Sequence, residues 1–223
     1  MNKYEIIKKI EAFAPLETQE KWDCSGWGID KNGDEVNKIL FALTVTEDVI
    51  NQARKQNCDM IISHHPLFYV PLNWKDINIY CAHTNLDRAE GGTTDTLIKE
   101  LGYKKSENLD FVRIVKLEKP ITTEELKEIL IKFSPKLRYI NNNNVKKIQS
   151  IGFCAGSGSE FINKTDVDAF VTGDLKFHTA LDTKIPVFDI GHFESEIFAP
   201  QILKKITDVK EKGVIANEKS PFI

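Results

Sequence analysis

Short, almost wholly apolar runs alternate with stretches of helical periodicity along this chain of 223 residues, and that alternation constrains the fold more than any other feature. KILFALTVT (38–46), CDMIIS (58–63) and INIYCA (77–82) read as buried strands. Between the first two, residues 47–57 read as a helix with Val49, Ile50 and Ala53 facing inward. A helix over 2–14 precedes them, with Asn2 as its cap, Glu5 three residues on, and Ile6, Ile10 and Phe13 on one face. Residues 15–37 read as loop, being rich in glycine and containing Trp22 and Trp27. Thr94, Leu97, Ile98 and Leu101 predict a helix stopped by Gly102.

The second half repeats this grammar. FVRIVKLE (111–118) reads as a strand, and Thr122 with Glu125 forms a capping box for a helix that aligns Leu126, Ile129, Leu130 and Phe133. Asn141–Asn144 reads as a turn. VKKIQSIGFCAG (145–156), AFVTG (169–173) and PVFDIG (186–191) supply further strands, separated by short helices. The pattern predicts α/β architecture with a largely parallel sheet in each half. We expect a division near residues 103–110, giving domains 1–108 and 109–223, with the apolar C-terminal helix free to pack back on the first.

Composition narrows the function classes. Gly (12) and Pro (8) together stay far below the ~25–30% of low-complexity disorder. The formal net charge of −3 gives no broad footprint for nucleic acid, so a nucleic-acid partner is not expected. No run approaches the ~18 apolar residues of a membrane span. Charged residues break up Ile6, Ile7 and Ile10, so the N-terminus does not read as a signal peptide. Cys24, Cys58, Cys81 and Cys154 are scattered, which argues against disulfides or a thiolate zinc site and for a cytoplasmic protein.

Ligands of open α/β sheets sit beyond the carboxyl ends of the strands. All five histidines of this chain fall at four such ends: His64 and His65 after MIIS, His83 in HTNLD after IYCA, His178 in GDLKFH after AFVT, and His192 in GHFESE after VFDI. A lone histidine is more often a satisfied core residue than a ligand. Four strand ends bearing them at equivalent positions reverse that reading. His192 and Glu196 are spaced i, i+4, so a helix beginning near Gly191 puts both on one face, with Glu194 directed elsewhere. Imidazoles with carboxylates suit Zn, Fe or Mn. Neighbouring His64 and His65 would face opposite sides of a continued strand. They reach one cluster only if the strand ends there, or if each binds a different ion, and two ions fit better than one. Such a centre would keep positive charge and attract a phosphate-bearing or other anionic small molecule. The bland alternative makes Asp87 a helix cap and Glu196 a solvated first-turn carboxylate.

Two details concern neighbouring groups. Ala155-Gly156-Ser157-Gly158-Ser159 could cradle a phosphate, but glycine's freedom favours a tight turn. Pro200 would clash with the carbonyl of Glu196 in a continuous helix, so an irregular turn is expected directly after Glu196.

The ordered motifs Trp22-Asp23, SHHPLF (63–68), AHTNLD (82–87), GGTTDTLIKELG (91–102), GSGSEF (156–161), TGDLKFH (172–178) and GHFESE (191–196) cover nearly the whole chain. With them the sequence resembles the Nif-three-like family, the GTP cyclohydrolase 1 type 2 homologs. The resemblance implies two related α/β domains, a dinuclear metal centre in the cleft between them, and a homohexamer. Its metal ligands carry over as His64, His65, Asp87, His192 and Glu196, and His83 and His178 would line the pocket. Cys24-Ser25, Thr44 and Thr94 depart from the family's usual residues. The implied activity is metal-dependent hydrolysis of a small molecule, a nucleotide such as GTP, with two divalent ions per chain. His178 or His83 would be the general acid or base. The alternative is a non-catalytic metal carrier, insertase or regulatory scaffold, which needs the ligands and no general base.

Overall fold

Asn2 opens the first helix as expected: its side chain accepts from the amides of Tyr4 and Glu5, and α1 (Lys3–Phe13) buries Ile6, Ile7 and Ile10. The computed structural model describes residues 1–105 and 107–222. The glycine-rich stretch after α1 contains a strand, β1 (Gly26–Ile29), that its composition concealed. It pairs antiparallel with β4, and a Cβ at Gly28 would stand 3.3 Å from the Leu67 side chain that packs beside it. β2 (Ile39–Ala42) is wholly buried and shorter than its apolar run, since the amides of Leu43 and Thr44 donate to the Glu218 carboxylate instead of continuing a ladder. α2 (Glu47–Lys55) is capped by Thr46 and turns Val49, Ile50 and Ala53 inward. β3 (Met60–Ser63), β4 (Asn78–Cys81) and the short α3 (Thr84–Arg88) come next.

The helix after these, α4 (Thr93–Glu100), buries Leu97 and Ile98 in one core with Val115, Leu126, Ile151 and Phe153. It therefore belongs with the second half of the chain. One unit comprises Met1–Gly92 with Phe198–Ile223 and a second comprises Thr93–Ile197, so the division falls before α4 rather than at 108. The second unit continues with β5 (Glu107–Leu109), β6 (Val112–Thr122), α5 (Thr123–Phe133) and β7 (Arg138–Ile140). Then come β8 (Lys147–Cys154), β9 (Ala169–Thr172), α6 (Phe177–Asp182), β10 (Val187–Asp189) and α7 (His192–Glu196). The capping box of Thr122 and Glu125 is present, and α5 buries Leu126 and Leu130. The asparagine run is the turn into β8: the Asn144 amide donates to the Asn141 carbonyl, and Asn142 Nδ2 donates to the carbonyls of Ala180 and Thr183.

α7 stops at Glu196, and Ile197 and Phe198 form the irregular turn that Pro200 requires. Pro200 lies in the first turn of α8 (Ala199–Thr207), where a missing N–H costs nothing. The chain has then returned to the first unit. α8 packs on α1 and β2, and β11 (Gly213–Ile215) pairs parallel with β2. The first sheet runs β1-β4-β3-β2-β11, parallel throughout except for β1. The second runs β5-β6-β8-β9-β10-β7, with a parallel centre of β8, β9 and β10 and antiparallel strands on both sides. Among the described residues no helix is long and apolar enough to cross a membrane.

Candidate metal centre

In the first unit Ala42, Ser63 and Cys81 stand in register at the carboxyl ends of β2, β3 and β4. The residues just beyond therefore emerge side by side: Leu43-Thr44, His64-His65 and Ala82-His83. β3 ends at Ser63, and its chain bends while the His64 and His65 amides donate to the carbonyls of Ala42 and Leu43 at 3.1 and 2.8 Å. The bend resolves the neighbour problem. The two rings lie 5.1 Å apart, and that of His83 lies 5.2 Å from His64 and 5.6 Å from His65. One donor atom from each of the three falls within 4.8 Å of the others.

Each ring is held at Nδ1. His64 Nδ1 lies 2.8 Å from the Ala82 carbonyl, His65 Nδ1 2.7 Å from Thr44 Oγ1, and His83 Nδ1 2.9 Å from Asp23 Oδ1. A carbonyl can only accept, so His64 Nδ1 carries a proton and donates it to Ala82, which leaves Nε2 as the ring atom available to a metal. Nε2 of His64 lies 3.4 Å from Asp87 Oδ1, one helical turn beyond His83. Anchoring the second ring nitrogen orients an imidazole for a metal and raises its basicity. Donors around a four-coordinate ion stand about 3.4 Å apart at Zn–N distances of ~2.0–2.1 Å, so the cluster needs only a modest contraction. The donor set fits a divalent transition metal.

Asp23 is a support that no local spacing in the sequence announces. It accepts from His83, from the amides of Cys24 and Thr84, and from the hydroxyls of Ser25 and Thr84. Burial works to raise its pKa, but the hydrogen bonds from His83 and Thr84 prevail and hold the carboxyl well below the usual range.

The second unit has its own set at the ends of β9 and β10. His192 Nδ1 lies 2.7 Å from Asp174 Oδ2, and its Nε2 lies 2.9 Å from Glu196 Oε2. The i, i+4 face expected of α7 is thus formed. Burial lowers the His192 pKa, yet the two carboxylates outweigh it and push the value up to about 11. Gly156, at φ +64°, makes room for this arrangement, since a Cβ there would stand 2.1 Å from Glu196 Oε1. The amides of Gly156 and Gly158 donate to Ser195 Oγ and Thr172 Oγ1. The two glycine amides of the loop are thus taken up inside the fold, as a tight turn requires.

His178 behaves differently from the other four. It is exposed at the start of α6, its ring 5.5 Å from that of Phe177, and it joins none of the donor clusters among the described residues. His83 offers a donor beside those of His64 and His65. Asp23, Thr44 and Asp174 acquire roles only through contacts 60, 21 and 18 residues away in sequence.

The profile of the family described as Duf34/NIF3 (NGG1p interacting factor 3) matches residues 1–220. A GTP cyclohydrolase 1 type 2 homolog of Clostridium perfringens is 34% identical, with 93% of this chain and 91% of that protein covered. Among solved structures, protein ybgI superposes with a TM-score of 0.87 at 21% identity, covering 99% of this chain and 100% of that one. HcgD of Methanocaldococcus jannaschii superposes at 0.80 with 25% identity, covering 96% of each.

Proposed function

The chain belongs to the Duf34/NIF3 family, and we propose that it is a dinuclear metal-dependent hydrolase of an anionic small molecule, with a nucleotide such as GTP as the leading candidate. The observation that carries this reading is the triple histidine cluster with every Nδ1 anchored. His64, His65, Asp87, His192 and Glu196 would hold two divalent ions of Zn, Fe or Mn. When bound, such ions supply Lewis acidity and lower the pKa of water. The chain's own residues do the rest. The Ala82 carbonyl and Thr44 orient His64 and His65, and Asp174 orients His192. With its Nδ1 tied to Asp23, His83 would exchange a proton at Nε2. His178 is the other candidate acid or base. The relatives named GTP cyclohydrolase 1 type 2 homolog support the nucleotide. A cytoplasmic homohexamer completes the proposal.

A second reading, a metal carrier, insertase or regulatory scaffold, is favoured by the exposure of His178, which no partner holds in a catalytic pose among the described contacts. Metal analysis of protein purified without added metal comes first: two equivalents per chain support the dinuclear centre, and zero or one counts against it. His178→Ala is then compared with His192→Ala. Hydrolysis using His178 predicts that the first keeps its metal and loses turnover, whereas the second loses both. Unchanged activity in His178→Ala removes that residue and leaves His83 as the proton-transfer group.

A further inference from the structure

Trp22 stands apart from the other two tryptophans of the chain. Trp74 is 7% exposed and donates through Nε1 to Glu47. Trp27 packs edge-on against both Tyr4 and Tyr80, at 5.8 and 5.3 Å. Trp22 is 66% exposed, and its ring meets that of His83 at 6.0 Å in a T-shaped contact. The backbone that carries this indole is hydrogen-bonded on both sides of it. The Asp23 amide closes a turn on the Glu20 carbonyl, and the Asp23 carboxylate accepts from Cys24, Ser25, His83 and Thr84. The Ser25 amide donates to the Gln19 side chain, and the Glu20 amide donates to Thr84 Oγ1. A large aromatic face is therefore held open on a pinned backbone beside a histidine of the donor cluster. Rigid, exposed aromatics of this kind serve as binding anchors, because little entropy is lost when a flat group lies on them.

We propose that Trp22 is the stacking platform for a planar heteroaromatic group of the ligand, a purine base, and that it sets this base beside His83. The proposal rests on the reading of the chain as a small-molecule site and names the part of the ligand that Trp22 takes. Stacking tolerates any base with a π-face, and removing a stacking aromatic costs on the order of tenfold to a hundredfold in affinity. Trp22 makes no hydrogen bond that would select one purine over another, so guanosine and adenosine should both bind.

The test uses full-length protein and guanosine, adenosine, ribose 5-phosphate and inorganic phosphate as separate probes. Binding is followed by equilibrium dialysis and by tryptophan fluorescence in wild type, Trp22→Phe and Trp22→Ala. Because the side chain is exposed, both variants should keep the wild-type melting temperature. Both nucleosides should quench the wild-type emission, and ribose 5-phosphate and phosphate should leave it unchanged. Trp22→Phe should bind the nucleosides within a few-fold of wild type, and Trp22→Ala at least about tenfold more weakly. Equal binding by wild type and Trp22→Ala overturns the proposal. So does failure of wild type to bind either nucleoside. A blue-shifted emission that depends on protein concentration and ignores nucleosides also overturns it, by showing that a second copy of the chain covers the indole. Binding is read without turnover. Trp22-dependent binding without hydrolysis therefore counts only against the hydrolase, and hydrolysis untouched by Trp22→Ala counts only against the stacking role.

Discussion

The two units offer donors of opposite character. The first gathers three imidazoles and backs two of them with neutral groups, a backbone carbonyl and a threonine hydroxyl. The second sets one imidazole between two carboxylates, Asp174 and Glu196. The difference lies in what a metal must displace. A neutral imidazole with its proton on the anchored nitrogen presents a lone pair directly. His192, with a pKa raised to about 11, holds a proton at neutral pH that a metal must expel. The imidazoles of the first set would take up an ion without first losing a proton, whereas His192 would join it more readily as pH rises.

The sharpest way to break this comparison is to delete one imidazole from each set. His64 is fully buried and tied to Ala82. His64→Ala should lower metal affinity by more than the ~10–100-fold typical of losing an outer support. His192→Ala should lose metal as well, but its remaining affinity should no longer rise with pH between about 6.5 and 11. Metal titration monitored by calorimetry across that range checks both. Equal pH slopes in the two variants would mean that the sets do not differ as their partners imply.

Much of this contrast was legible in the sequence. The strand ends after MIIS and VFDI and the i, i+4 pair of α7 arise from local periodicity, and Pro200 dictated the break after Glu196. What was hidden was everything fixed by distant partners. Asp23 reaches His83 across 60 positions, and no local spacing announces it. The antiparallel strands β1 and β7 were hidden for a different reason. Each is only three or four residues long, and one is glycine-rich while the other abuts the asparagine turn. Tertiary pairing, not local propensity, makes them strands.

The carboxylate supports give the next largest effect. Asp174→Asn removes the orienting charge behind His192, at an expected cost of about 10–100-fold in metal affinity, whereas Asp23→Asn removes the one behind His83 and should keep the metal while lowering turnover. Their pH signatures should differ. With His192 raised above its unfolded value, the chelator-treated protein has that contribution to stability in full below pH 6.5 and loses it as pH rises toward 11. Asp174→Asn should flatten that decline. Asp23 is depressed below its ordinary 3.8, so its contribution is full above that pH and is lost on acidification below it. Asp23→Asn should leave the alkaline limb alone and flatten the acid one. Urea midpoints measured from about pH 2 to 10 distinguish the two, and identical profiles would remove the assigned causes.

The smallest effect tests how far the neutral character of the first set is built in. Thr44 Oγ1 holds His65, and the backbone beneath Thr44 is itself held from the far end of the chain. Glu218 accepts from the Leu43 amide at 2.6 Å and from the Thr44 amide at 2.9 Å. The segment carrying it is tied by β11 and by the paired hydrogen bonds between Gln52 and Asn217. Glu218 thus positions His65 through Thr44 without touching it. Glu218→Gln keeps the shape but turns one amide donor toward a backbone N–H that can only donate, so one of the two hydrogen bonds is lost. Thr44→Val keeps the backbone and removes the contact with His65. Thr44→Val should weaken metal binding a few-fold, close to the lower end of the ~10–100-fold range for outer supports. Glu218→Gln should weaken it less, while lowering the melting temperature more, because a charge-assisted hydrogen bond of about 1.5–3 kcal/mol is disturbed. In the double variant the combined loss of affinity should be smaller than the sum of the two single losses, since both act on the one ring of His65. Full additivity would show that the Glu218 carboxylate stabilises the end of β2 without any bearing on the histidine beside it.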